Sequence, residues 1–151
     1  MLIRRMTALD VEKVALIESA NFTQPWSKNA FIAALQSKDN ILLVAEHDNE
    51  IIGYICMYVV LDEGEITNVA VEYSARGDGV GSLIMQEAFV CAAKVGVQRI
   101  VLEVRVSNEP AIGLYKKMGF KELGIRKGFY DMPKEDAYIM EYIVQKVGDR
   151  C

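Results

Sequence analysis

Residues 65–96, EITNVAVEYSARGDGVGSLIMQEAFVCAAKVG, constrain the fold more than any other stretch of the chain. The run from Glu65 to Glu72 reads as a strand. RGDGVG, Arg76 to Gly81, follows it and leads into a second apolar run. There Val80, Leu83, Ile84, Ala88, Cys91 and Ala92 recur at helical intervals, which predicts a helix from about Gly79 to Val95, stopped by Gly96. Glycine is unfavourable inside a helix and free outside it, so three glycines at a helix entrance need a reason. Two readings stand. One is an anion site, where unpaired N–H groups and the positive end of the helix dipole meet a phosphate that no side chain obstructs. The other is a plain helix-entry turn. Arg76 would add a charged donor to the first. The loop has neither a GxGxxG fingerprint nor a GK[ST] ending. Asp78 either caps the free N–H groups, excluding an anion, or turns to solvent, where salt screens its repulsion. The second geometry is the expected one.

The flanking elements build a mixed α/β domain around this unit. LIRRM reads as a short strand, and Thr7 or Asp10 caps a helix with Val11, Val14, Ala15 and Ile17 on one face. Pro25 breaks the chain, and Ser27 caps a second helix carrying Ala30, Phe31, Ala34 and Leu35. ILLVAEHDNEIIGYICMYVV is two strands about an HDNE turn. In RIVLEVRV, Ile100, Leu102, Val104 and Val106 share one face, and Val101, Glu103 and Arg105 the other. Asn108 caps a helix bearing Ala111, Leu114, Tyr115 and Met118, ending at Gly119. Two last strands, about Lys121 to Ile125 extending toward Tyr130 and Ala137 to Val144, flank the loop DMPKED.

A chain of 151 residues, 52% of them apolar, suits one domain over its whole length, 1–151. Seventeen basic against 21 acidic residues give a net charge of −4, which argues against a nucleic-acid partner held through phosphates. The longest apolar run, Ile51 to Leu61, is too short for a membrane span, and MLIRRMTALD lacks the apolar stretch of a signal peptide. Cys56, Cys91 and Cys151 make an odd set without CxxC spacing. The first two fall in apolar patterns, so reduced core thiols and a cytoplasmic setting are expected. His47 is the only histidine, so neither a zinc cluster nor a histidine-based triad is expected.

ITNVAV, RGDGVG and LEVRVSNEPAIGLYKKMGF, in that order, resemble the GNAT acetyltransferases. FTQPWS, GIRKGFY and EDAYIM are similar to the RimI-like subfamily, which acetylates the N-terminal alanine of a small-subunit ribosomal protein. The resemblance covers nearly the whole chain. It implies a GNAT fold: a mixed, mostly antiparallel central sheet of about seven strands, with about four helices on its two faces. It also implies acetyl-CoA as co-substrate, no metal, and a protein N-terminus as acceptor, most concretely that of a ribosomal protein, with no nucleic-acid or membrane partner. Val69, Ala70 and Val71 would pair their backbone with the pantetheine arm. Arg76, Gly77, Asp78, Gly79, Val80, Gly81 and Ser82 would hold the pyrophosphate. Asn108 and Tyr115 would lie near the thioester. Glu103 matches the family's general base and Tyr115 its general acid. The family usually carries a basic or neutral residue where Asp78 stands. Phe22, Pro25 and Trp26, with Tyr130 in the later loop, would surround the acceptor.

These residue types suit the chemistry, although each also has a plainer reading. The attacking amine must be neutral, and an α-amine, with an ordinary pKa near ~7.7–8.0, largely meets that need at neutral pH. One carboxylate can therefore suffice as base. Glu103 among apolar strand residues fits, or it simply pairs with Arg105 on the same face. Tyr115 could protonate a departing thiolate, or it is a core aromatic. Phe22 and Trp26 form an aromatic wall, or a plug under a loop. Asp62, Glu63, Glu65, Asp131, Glu135 and Asp136 attract a basic peptide, or are a solvated rim. Acceptors other than an alanine N-terminus (Lys, small amines, N-termini at large) and a non-catalytic acetyl-CoA-binding module are the competing functions.

Overall fold

The computed structural model describes residues 1–145; Cys151 lies outside them. In chain order the elements are β1 (Leu2–Arg5), α1 (Val11–Asn21), α2 (Lys28–Gln36), β2 (Ile41–His47), β3 (Glu50–Val60), β4 (Glu63–Val71), α3 (Val80–Lys94), β5 (Arg99–Arg105), α4 (Glu109–Lys117), β6 (Lys121–Tyr130) and β7 (Glu135–Ile143). Single 3-10 turns at Ala8–Asp10 and Tyr73–Ala75 precede α1 and the glycine loop. The seven strands form one sheet in the order β1-β2-β3-β4-β5-β7-β6. Every neighbouring pair is antiparallel except β4–β5.

Local chemistry accounts for most of the boundaries. Asp48 and Asn49 take left-handed φ values of 52° and 64°, as a two-residue hairpin turn between β2 and β3 requires. Ser27 Oγ accepts from Ala30 N at 3.2 Å, and Asn108 Oδ1 accepts from Ala111 N at 3.3 Å, so both expected caps form. The helices α3 and α4 end alike. Val97 N donates to Ala92 O and Gly96 N to Ala93 O; Phe120 N donates to Tyr115 O and Gly119 N to Lys116 O. Both are Schellman closures on a left-handed glycine.

The sheet separates two cores. On one side α1 and α2 bury Val11, Val14, Ile17, Phe31 and Ala34 against Val44, Tyr54 and Cys56. On the other α3 buries Val80, Ile84, Met85, Ala88 and Ala92 against Leu43, Ile55 and Ile100, and Tyr115 of α4 joins that cluster. The α3 stripe differs from the expected one at Leu83, which is 43% exposed while Met85 is fully buried. Cys56 is in the core, but Cys91 on α3 is only half-buried. Among the described residues no helix is long and apolar enough to cross a membrane, and no group of His, Cys, Asp or Glu gathers as a metal would need.

Candidate active site

The parallel pair β4–β5 is joined only at Glu63↔Arg99, Gly64↔Ile100 and Glu65↔Val101. Beyond Glu65, β4 stays paired with β3 through Val71, and β5 stays paired with β7 through Arg105. The two strands therefore part company, and the edge groups of Val69, Ala70 and Val71 on that side have no strand partner. A bulge at Thr67, between the pairs Met57↔Ile66 and Cys56↔Asn68, adds a local change of direction there. An extended chain bearing amides can pair with such an edge as another strand would.

Just past the end of β4 comes the glycine loop. Gly77 and Gly79 have φ of 88° and 78°, and an added Cβ at either would meet nothing within 4 Å. Conformation, not crowding by the protein, is what demands glycine there, and the outer side of the loop is open to a ligand. Gly79 is the N-cap of α3 and offers no side chain to its N–H groups. Val80 is buried, while Gly81 and Ser82 are half-buried in the first turn. A Cβ on Gly81 would lie 3.3 Å from Leu114 and 3.8 Å from Val71, so the start of α3, β4 and α4 meet at this point. Asp78 is exposed and makes no cap to α3, matching the solvent-facing geometry. Arg76 is exposed; its Nε reaches Val71 O at 3.4 Å, its guanidinium bonds Asn21 and lies over the Tyr73 ring. Free N–H groups, a helix dipole and an adjacent guanidinium fit a pyrophosphate, and the open β4 edge above them fits a pantetheine arm.

Three side chains converge from β5, α4 and β6. Glu103 is half-buried on β5. Burial, then the nearby Glu65 carboxylate, push its carboxyl above the usual range, against the pull of Arg126, whose Nε lies 3.9 Å away. Tyr130 ends β6, and its phenol is pushed up to about 12 by burial and then by Glu103. Tyr115, on α4, is buried, and its phenol is also pushed up, by burial first and by Tyr130 second. The Schellman closure fixes Tyr115, whose ring packs at 5.8 Å from Phe120, the residue that completes the closure.

Arg105 does not pair with Glu103. It turns to the β6–β7 loop, donating to Pro133 O at 2.8 Å, to Asp131 O at 2.9 Å and to Glu135 Oε1 at 3.1 Å, and it stacks 4.5 Å from the Tyr130 ring centre. The second Glu135 oxygen accepts from Ser107 N at 2.7 Å, and Asp136 accepts from Gly128 N at 2.8 Å. Glu63 pairs with Arg99. Of the six acids expected on the rim, Asp62, Glu65 and Asp131 remain as the exposed ones.

The FTQPWS loop is less uniform than expected. Phe22 and Pro25 are exposed, while Trp26 is half-buried with its ring 5.2 Å from Phe31 and 6.0 Å from Tyr58. Trp26 therefore plugs the α1–α2 core from under the loop, as its plainer reading has it. The residue that sequence reasoning missed is Glu18, 2% exposed, bonded to Trp26, Tyr54 and Asn68. Its signal was present: Val11, Val14, Ala15 and Glu18 share one helical stripe, so a carboxylate stands at an apolar position. Asn108, by contrast, is exposed at the start of α4 and serves there as a cap.

A split parallel pair with a glycine loop opening the next helix is the architecture of an enzyme that takes up an acyl-carrying nucleotide. Residues 11–120 match the model of the acetyltransferase (GNAT) family, and the chain belongs to that family, an acetyl-CoA-dependent N-acetyltransferase. A Bacillus subtilis protein named provisionally as a [ribosomal protein bS18]-alanine N-acetyltransferase is 40% identical over 91% of this chain and 92% of its own. The [ribosomal protein bS18]-alanine N-acetyltransferase of Haemophilus influenzae is 34% identical over 92% of this chain and 96% of its own. The crystal structure of the ribosomal-protein-S18-alanine N-acetyltransferase from Escherichia coli superposes with a TM-score of 0.89 at 29% identity, covering 99% of this chain and 97% of that one.

Proposed function

We propose that the chain transfers acetyl to the N-terminal α-amine of a protein, the alanine N-terminus of ribosomal protein bS18 being the acceptor class its relatives' names indicate. What supports this reading is the open β4 edge beside the glycine loop, with Glu103 on the neighbouring strand and not paired to Arg105. The β4 edge at Val69–Val71 and the loop from Arg76 to Ser82 hold the co-substrate, and acetyl-CoA, when bound, supplies a thioester carbonyl for attack. Glu103 takes a proton from the attacking amine, directly or through a water; its raised affinity for protons suits a base working near neutral pH. Tyr115 keeps its hydroxyl proton at neutral pH because burial disfavours the phenolate, and that proton goes to the departing sulfur. Nitrogen–carbon bond formation, carbon–sulfur cleavage and two proton transfers then balance without a covalent enzyme intermediate. Phe22, Pro25, Trp26 and Tyr130 border the acceptor, and the setting is the cytoplasm.

The test is incubation with acetyl-CoA and two basic peptides, one with a free Ala N-terminus and one blocked but containing Lys, followed by mass spectrometry. The expected result is one acetyl group on the Ala amine. Transfer to Lys alone would overturn the assignment of the acceptor.

A further inference from the structure

Glu18 bonds to both ends of the acceptor-side loop. Its backbone carbonyl accepts from Phe22 N at 3.0 Å, and its carboxylate Oε2 accepts from Trp26 N at 2.9 Å. The same carboxylate accepts from Asn68 Nδ2 of β4 at 2.9 Å and from the Tyr54 hydroxyl of β3 at 2.5 Å. Glu18, Tyr54 and Asn68 are 2%, 0% and 6% exposed, so the junction is dry. Between Asn21 and Lys28 the chain has no helix or strand, and residues 22–25 are exposed. The Trp26 amide is thus the point where this loop is tied to the sheet, and it is tied to the strand whose next residues, Val69–Val71, border the split.

A leucine at position 18 would complete the apolar stripe of α1 and fill the core. A buried carboxylate costs several kcal/mol in desolvation unless hydrogen bonds offset it. Here three donors offset it, and what they gain for the protein is a fixed height of the loop main chain over β4. We propose that Glu18 is a positioning residue that sets acceptor selectivity: it acts through the Trp26 main chain, holding Phe22, Pro25 and Trp26 at the width that admits a small N-terminal side chain. The proposal rests on the N-terminal acetyltransferase reading above.

Trp26 is the only tryptophan of the chain, so its fluorescence reads the loop without any acceptor. In Glu18→Gln an amide N–H replaces one acceptor oxygen among three donors. The expected result is greater quenching of Trp26 by acrylamide and a kcat/KM for a free-Ala peptide reduced about tenfold or more, since small misplacements near a reacting centre carry penalties of that order. The preference for Ala over Leu N-termini falls by about as much, and KM for acetyl-CoA is unchanged. Tyr54→Phe keeps the bond to Trp26; it lowers the melting temperature yet leaves quenching and the Ala/Leu ratio at wild-type values. If Glu18→Gln does not fold, hydrogen exchange in the unaltered protein decides, because the Trp26 amide must be protected well beyond the amides of Thr23 and Gln24. Exchange of that amide at open-loop rates, or equal loss of activity on Ala and Leu peptides, overturns the proposal. If the wild-type protein acetylates no free N-terminus, the acceptor reading fails and selectivity falls with it. Quenching and exchange still decide, separately, whether Glu18 holds the loop.

Discussion

Glu103 and Arg105 share one face of β5, yet their charges are spent in different places: Arg105 on Glu135 at 3.1 Å, Glu103 on a longer approach to Arg126 at 3.9 Å. The division leaves Glu103 with a raised proton affinity and gives the guanidinium a loop to organise. Each half can be tested.

Burial, with repulsion from Glu65, lifts the Glu103 carboxyl above its ordinary 4.5. A carboxyl raised by folding favours the folded state while protonated. Its contribution is fully present below the unfolded value and is lost as pH rises through the folded one. Glu103→Gln, neutral throughout, should therefore match the wild type in urea midpoint near pH 4 and exceed it at pH 7. Other titrating groups cancel in the comparison. A constant gap over that range would mean that the carboxyl is not perturbed. At pH 7 the same variant should lose about 10²–10⁴-fold in kcat, the usual share of a positioned base.

Arg105→Ala removes the donors to Pro133 O and Asp131 O together with the stack on Tyr130. The β6–β7 loop, which the proposed function sets beside the acceptor, then loses its anchor, while the glycine loop does not change. We expect KM for the acceptor peptide to rise about tenfold, the scale of a lost charged hydrogen bond, with KM for acetyl-CoA unchanged. Arg105→Lys should recover little, because an ammonium cannot serve divergent carbonyls as a planar fork does. Equal changes in both KM values in two-substrate kinetics would speak against this division of labour.

Asp78, exposed beside the start of α3, repels a diphosphate only through solvent. Asp78→Asn should tighten acetyl-CoA binding by about two- to fivefold at low ionic strength, and the advantage should vanish in roughly 0.5 M salt, where the screening length is a few ångströms. Calorimetry at two salt concentrations measures both. A salt-independent gain would place the carboxylate in direct contact with the ligand.

Features whose causes lie within a few residues were readable beforehand. The Asp48–Asn49 turn, the caps at Ser27 and Asn108 and the stops at Gly96 and Gly119 each depend on one side chain and the next turn of backbone. What could not be read was the partner choice of groups distant in sequence. Arg105 finds Glu135, 30 residues away, instead of the neighbour two positions back. Glu18 finds Asn68, 50 residues away, and a helical stripe shows only that position 18 is inward, not what waits there. Leu83 turns outward and Met85 inward because the packing of Val80, Ile84, Ala88 and Ala92 on the sheet sets the buried face of α3, whatever apolar residues lie beside it. An open β4 edge at Val69–Val71 was expected only through resemblance, and the split that makes it was not foreseen, since an apolar pattern fixes which face of a strand is buried and leaves the length of its pairing undetermined.

Only three residue pairs hold β4 to β5, and in the proposed function the rest of that seam is closed by the co-substrate. Spent CoA keeps the pantetheine amides and the pyrophosphate, losing only the two-carbon group at its tip, so it completes the seam almost as well as the charged form. Occupancy therefore reports the total pool of the carrier, while turnover depends on the fraction that is acetylated. An enzyme built this way grows firmer whenever the carrier is plentiful, by about 2.7 kcal/mol at a hundredfold excess over Kd. The proposed transfer, though, runs only on the acetylated fraction of that bound carrier, so free CoA firms the fold and slows the reaction at once.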